Sequence, residues 1–347
     1  MPTVTLLALL PVLFAAADAP KPAGAPGCEH ALLISVDGLR SDALVALAPD
    51  EIPGFTRLRR GASTLNARCD PDYSITLPNH TSMLTGRPVL GPAGHAWIQN
   101  DEAAPDETLH KNHGQYLASF LDVAHDRGWR TALLTGKPKF SLYDHSYDAE
   151  DGAPDLVPPD DGRDKLDDFV FTLKTEEIGD GVVKELGDGS RKCICFVHFA
   201  ITDLTAHASG WDVGKGSKYL RAVQLVDAEL SKILAVIDAQ EKLRGRTAIV
   251  LTADHGGGAP FKSHDQKQMW VDYIIPFLVW TGDAAPSELY ALNAATRKDP
   301  SIANPRVDAP GLPPIRNGEG GNVLLELLGL PAIPGSVLNA KQDLVWR

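Results

Sequence analysis

The apolar residues of this chain come in short unbroken runs separated by polar turns and helical stretches. Runs at 31–36 (ALLISV), 131–135 (TALLT), 193–200 (CICFVHFA), 248–252 (AIVLT) and 275–280 (IPFLVW) show no alternation with polar residues. That is the pattern of strands buried on both faces of a parallel sheet. Residues 217–240 carry Leu220, Val223, Val226, Leu230, Ile233 and Ile237 at three- and four-residue steps, one apolar stripe of a covering helix. Shorter helical patterns lie at 114–127 and at 322–328, the latter stopped by Gly329. Strands alternating with helices predict an α/β fold, a three-layer α/β/α sandwich with a mostly parallel central sheet. The acidic, Pro- and Gly-rich stretch 144–165 breaks the cycle and predicts an exposed insertion or lid, spanning about 138–190. Residues 281–316 are similarly irregular, and the chain has no internal repeat.

The amino-terminal run 5–17 (TLLALLPVLFAAA) is too short and too broken by Ala and Pro for a membrane span. It ends in Ala17-Asp18-Ala19, a small-x-small cleavage pattern, and reads as a secretory signal peptide over residues 1–19 followed by a linker over 20–29. Residues 30–347 are then one domain in an exported protein, periplasmic or secreted, with no integral membrane segment after signal removal. The chain holds 33 Lys and Arg against 45 Asp and Glu, a net charge of −12. No basic excess is present to neutralise nucleic-acid phosphates, so a nucleic-acid-binding module is excluded and a small-molecule substrate is expected. Cys28, Cys69, Cys193 and Cys195 allow three disulfide connectivities but lack zinc-knuckle spacing, and they read as structural.

Sites in open α/β sheets form beyond the carboxyl ends of the strands. The residues just after each apolar run are therefore informative. Asp37 comes after the first, Asp203 and His207 after the 193–200 run, and Asp254 and His255 after the 248–252 run. Carboxylate oxygens and imidazole nitrogens in that mixture suit zinc or a similar divalent ion. Asp203 and His207, at i and i+4, can share one helix face. A further segment, 72–81 (DYSITLPNHT), places Pro78 where a first helical turn tolerates it. It predicts a helix from about Asn79 to Leu84, with Thr76 just before its amino end. A hydroxyl there, next to a divalent ion, can attack phosphorus. His80 reads as a packing residue, and His30, His110, His113, His125, His145 and His198 as structural or solvated.

The ordered set DGLR, TLPNHTSMLTGRP, TDLTAH and ADHGG resembles the alkaline phosphatase superfamily, and within it the type I phosphodiesterase/nucleotide pyrophosphatase branch, over about residues 30–335. The resemblance implies that Thr76 is the nucleophile. One zinc is then bound by Asp37, Asp254, His255 and Thr76, and a second by Asp203, His207 and a late histidine. His264 is the last histidine of the chain and the one able to fill that place. Asn100, closing the segment HAWIQN, matches the Asn that bonds a phosphoryl oxygen, with Ala96 where the family usually has Gly. Lys137 and Lys139 resemble the Lys-x-Arg pair of Thr-nucleophile alkaline phosphatases and the Lys pair of phosphonoacetate hydrolase. They would hold the spare oxygens of a monoester. The expectation is a two-zinc phosphoesterase that hydrolyses phosphodiesters, pyrophosphates or monoesters through a covalent phospho-threonine. Alternatives are a phosphonate hydrolase or phosphoethanolamine transferase of the same superfamily, or a non-catalytic, metal-stabilised envelope binding protein. A sulfatase is disfavoured, since Thr76-Leu77-Pro78-Asn79 lacks the Cys or Ser that formylglycine formation needs.

Overall fold

All five unbroken apolar runs form strands, each buried along its whole length or nearly so. The computed structural model describes residues 27–155, 157, 162–300 and 311–347. The proposed signal peptide and most of the linker lie outside the described residues. Among those described, eight strands make one sheet. They are β1 (His30–Val36), β2 (Ala62–Arg68), β3 (Arg130–Thr135), β4 (Asp168–Phe171), β5 (Cys193–Phe199), β6 (Thr247–Thr252), β7 (Ile274–Trp280) and β8 (Ser287–Glu288). Their spatial order is β4-β3-β5-β1-β6-β7-β2-β8. Only β7 runs against the rest, pairing antiparallel with β6 and β2. The fold is thus mixed α/β with a mostly parallel sheet, as the run pattern predicts.

Helices cover both faces. The Lys218–Ala239 helix, capped by the Ser217 hydroxyl, packs with the Thr175–Leu186, Ile201–Ser209 and Pro53–Leu58 helices on one side. The Gly320–Leu327, Phe120–His125 and Thr76–Thr85 helices pack together on the other, against β1, β3 and β6. The helical pattern at 114–127 yields helix only from Phe120. Ser119 and Asp122 form a reciprocal capping box there and start the helix late.

The region around 138–190, expected as a lid or insertion, is largely built into the sandwich. It supplies edge strand β4, paired with β3, and the covering helix Thr175–Leu186. β4 is short and half-exposed, so it leaves no unbroken apolar run to read. All four cysteines are buried thiols. Among the described residues, no helix is long and apolar enough to cross a membrane.

Strand register decides which residues can meet. Val36 of β1 pairs with Phe199 of β5, Ser35 with Thr252 of β6, and Thr135 of β3 with His198 of β5. Four adjacent strands therefore end level, and the residues just beyond them share one rim.

Candidate active site

Asp37, Asp203, Asp254 and Lys137 stand on that rim, beyond β1, β5, β6 and β3 in turn. The three carboxylates are almost wholly buried, as are His255 and His264. A glycine allows the approach. Gly38 has φ +66, and a Cβ there would lie 3.2 Å from Asp203 Cβ and Oδ1. The amides of Gly38 and His255 both donate to Asp254 Oδ1, at 3.0 and 2.9 Å, which fixes that carboxylate.

Lys137 Nζ lies 2.7 Å from Asp37 Oδ2 and 2.7 Å from Asp203 Oδ2. It also donates to Thr76 Oγ1 at 3.2 Å. Its three protons are thereby committed. Burial pushes the Asp37 and Asp203 carboxyls up, but the Lys137 ammonium and neighbouring imidazoles outweigh it and hold both below the ordinary carboxylate range. Asp254 makes no direct ion pair with Lys137. Burial and the Asp37 charge raise it well above that range. Burial also works against the Lys137 ammonium, yet Asp37, Asp203 and Asp254 raise it overall, so it stays charged.

Four atoms in this cluster are buried and make no hydrogen bond: Asp37 Oδ1, Asp203 Oδ1, Asp254 Oδ2 and His255 Nε2. Buried polar atoms are rarely left so. His255 Nδ1 bonds to Gly256 O at 2.9 Å, so its proton sits there and Nε2 offers a bare lone pair. That Nε2 is 3.2 Å from Asp254 Oδ2 and 3.5 Å from Asp37 Oδ1. Asp37, Asp254 and His255 form one group close enough to hold a divalent ion, and Asp203, His255 and His264 form another. His255 has one free nitrogen and can serve only one of them. Its two short carboxylate distances put it with Asp37 and Asp254. On the other side His207 stands instead, with Nε2 3.3 Å from Asp203 Oδ1 and its ring against His264. The nearby Asp203 carboxylate raises the His207 pKa, while burial first of all lowers those of His255, to about 3, and His264. The donor set fits two divalent cations. An ion at Asp37 and Asp254 would favour the ionised Asp254 carboxylate against the burial that raises its pKa.

Thr76 is buried and opens the Thr76–Thr85 helix, three residues earlier than the Pro78 rule predicts. Proline needs no hydrogen-bond partner for its nitrogen, so it fits as the third helical residue as well as the first. Ile75, before Thr76, is extended. Asn100 Oδ1 accepts from Leu77 N at 3.0 Å and from Lys139 Nζ at 2.9 Å. The amide oxygen is committed, and the amide NH₂ is the group left for an incoming oxygen. Lys139 thus braces Asn100, where a second free cation was expected. Burial, with help from Lys137, lowers its pKa to about 8. Ala96 adopts φ +62, a left-handed conformation that explains a family preference for glycine at that position.

His198, read from sequence as structural or solvated, is buried and structural, at the edge of the site. Its Nε2 bonds Asp37 Oδ2 at 2.8 Å, and its Nδ1 bonds Thr135 Oγ1 at 2.8 Å. It holds Asp37 in place. The sequence carries no signal for this, since only the pairing of β5 with β1 sets it beside Asp37. His80 is buried in its helix, bonded to Thr76 O and Ser35 Oγ, both at 2.8 Å.

The profile of type I phosphodiesterases and nucleotide pyrophosphatases matches residues 31–301. The chain belongs to that family. It is a hydrolase of phosphoric ester bonds, and the family is metal-dependent, in keeping with the carboxylate and imidazole clusters above. No curated protein matches the chain. Solved structures share the fold at low identity. An alkaline phosphatase superfamily protein from Vibrio parahaemolyticus is 13% identical, with 91% of this chain and 70% of that one covered, at a TM-score of 0.59. Murine ectonucleotide pyrophosphatase/phosphodiesterase 5, an inactive threonine-to-alanine variant in complex with AMP, is 13% identical over 92% of this chain and 100% of its own, at 0.56. The lipoteichoic acid synthase LtaP from Listeria monocytogenes is 12% identical over 88% and 73%, also at 0.56.

Proposed function

We propose that this family member is an exported, two-zinc phosphodiesterase in which Thr76 is the nucleophile. The observation that carries the reading is the meeting of the Thr76 hydroxyl, a charged Lys137 and four unpartnered donor atoms at one sheet rim. Asp37, Asp254 and His255 would hold one ion beside Thr76, and Asp203, His207 and His264 the other. Such ions, when bound, supply Lewis acidity toward the attacking and leaving oxygens. Thr76 Oγ, its proton lost to solvent, attacks phosphorus and forms the Oγ–P bond as the bond to the leaving alkoxide breaks. Water then cleaves the phospho-threonine and restores the hydroxyl. Lys137 is charged throughout and cannot take a proton from Thr76; it stabilises the oxyanion. The Asn100 amide donates to a non-bridging oxygen. A phosphothreonine route also accords with the murine relative, which carries an inactivating threonine-to-alanine change.

A diester fits better than a monoester. A monoester brings a second negative charge, yet the Lys137 protons are spent on Asp37, Asp203 and Thr76, and Lys139 is spent on Asn100. The decisive experiment is Thr76→Ala, assayed on bis-p-nitrophenyl phosphate and p-nitrophenyl phosphate with zinc content measured in parallel. Turnover of the diester falls by at least about 10³-fold while zinc stays bound. Unchanged hydrolysis removes Thr76 as nucleophile. If the wild type binds zinc but cleaves no phosphate ester, a non-catalytic envelope protein takes its place.

A further inference from the structure

His264 and the segment that delivers Thr76 are joined by a reciprocal pair of hydrogen bonds. Ser74 Oγ donates to His264 O at 2.5 Å, and His264 Nδ1 donates to Ser74 O at 2.5 Å. Both residues are buried, at 3% and 7% exposure, so solvent does not compete for either bond. A carbonyl only accepts, which places the imidazole proton on Nδ1 and leaves Nε2 as a bare lone pair.

Each partner is also fixed from behind. The Asn79 amide donates to Tyr73 O at 2.5 Å and Ile75 O at 3.1 Å. The carbonyls flanking Ser74 are thus drawn toward the helix, while the Ser74 carbonyl faces His264. On the other side, the buried Asp272 carboxylate accepts from Ala259 N at 3.2 Å and Gln266 N at 3.0 Å, clasping the loop that carries His264 at both ends. Two separate loops, 190 residues apart in sequence at the Ser74–His264 contact, are in this way set against one another.

We infer that Ser74 is a positioning residue. It presents His264 Nε2 to the Asp203 and His207 side of the site and couples the placement of that ligand to the placement of Thr76, two residues on. This rests on the two-ion reading above. The Ser74 carbonyl holds the His264 ring in every variant; the hydroxyl acts by holding the His264 backbone, and loss of a support behind a metal-ligating histidine typically changes metal affinity by 10- to 100-fold.

The test is zinc binding by the full chain, stripped with a chelator and titrated in competition with a chromophoric chelator, for wild type, Ser74→Ala and Ser74→Thr. Cobalt absorption reports the ligand geometry, and thermal melting checks the fold. Wild type takes up two ions. Ser74→Ala keeps one at wild-type affinity and binds the other about 10- to 100-fold more weakly, and Ser74→Thr, which keeps the hydroxyl, restores it. A Ser74→Ala protein that binds both ions as wild type does overturns the positioning role and leaves the two-ion reading standing. A wild type that takes up fewer than two ions overturns that reading, and the positioning role with it. If Ser74→Ala does not fold, Ser74→Cys takes its place: unweakened binding of both ions by that variant overturns the role.

Discussion

Replacing Lys137 with methionine keeps the length of the side chain and removes the ammonium that pairs with Asp37 and Asp203. Each contact is 2.7 Å, and the lysine side chain is 11% exposed. At an effective dielectric of about 20, a pair at that distance has a gross attraction of about 6 kcal/mol. Desolvation of the ions returns several kcal/mol of it. Removing one partner and stranding the other in a buried site costs about 3–5 kcal/mol net. The cost belongs to the metal-free protein. Divalent ions at the same carboxylates neutralise them, so zinc should cut the penalty by more than half.

The pH dependence distinguishes this account from a packing loss. Asp37 and Asp203 have folded carboxyls below the ordinary value of 3.8, so their stabilisation is present above about pH 4 and is lost as pH falls through the folded values. Lys137 is raised above 10.5, so its share is present below that pH and lost as pH rises through the folded value. In Lys137→Met burial acts on Asp37 and Asp203 with less opposition and raises both carboxyls, as it does Asp254, so the wild-type advantage is small in acid, grows as pH rises through the variant's raised carboxyl values, and shrinks again above about pH 10.5. Urea unfolding in chelator at several pH values, repeated with zinc, measures it. A penalty under about 1 kcal/mol in chelator at pH 7, or one that neither pH nor zinc alters, refutes the reasoning.

Gly38→Ala forces a left-handed backbone onto an L residue at φ +66, a strain of about 1–2 kcal/mol, and presses a methyl against Asp203 at 3.2 Å. Zinc affinity and diesterase turnover fall together, which isothermal titration and a kinetic assay check. Ala96→Gly acts in the opposite sense at φ +62. Relief of strain offsets the extra chain entropy, and urea unfolding reads a change between neutral and about 1 kcal/mol of stabilisation. Lys139 has a folded pKa of about 8 against an ordinary 10.5. The unfolded chain binds more protons between those values, so wild type gains stability relative to Lys139→Met as pH rises from about 8 to 10.5, and not below 8. Unfolding titrations of both proteins across that range test the sign.

The parts of the fold that were legible are those where burial leaves no choice. β1, β5 and β6 are covered on both faces, so nearly every position is apolar, and polar exceptions such as Ser35 and His198 are hydrogen-bonded. The residues that end them, Asp37, Asp203 and Asp254, were legible for the same reason: a charge directly after such a run has to have a use. β4 and β8 lie at the sheet edges, where one face or one end is wet, and their sequences carry no comparable constraint. The late start of the Phe120 helix depended on Ser119 and Asp122 satisfying each other, a two-body event hidden within an amphipathic stretch.

The roles within the site were less legible than its membership. Lys137 and Lys139 share one loop and one spacing, and sequence gives them one job. The structure gives them two, because the fold brings Asp37 and Asp203 to the first and Asn100 to the second. His198 shows the converse. Nothing about a histidine inside an apolar strand marks it, until register places that strand beside the one ending in Asp37. Ser74 reads in sequence only as a rival hydroxyl to Thr76, with no mark of a positioning role, and its partner His264 lies in a loop with no periodicity. Strand-end residues announce chemistry one at a time. The groups that orient them are defined only by pairs of segments distant in sequence, so they become visible only when the sheet order and register are known.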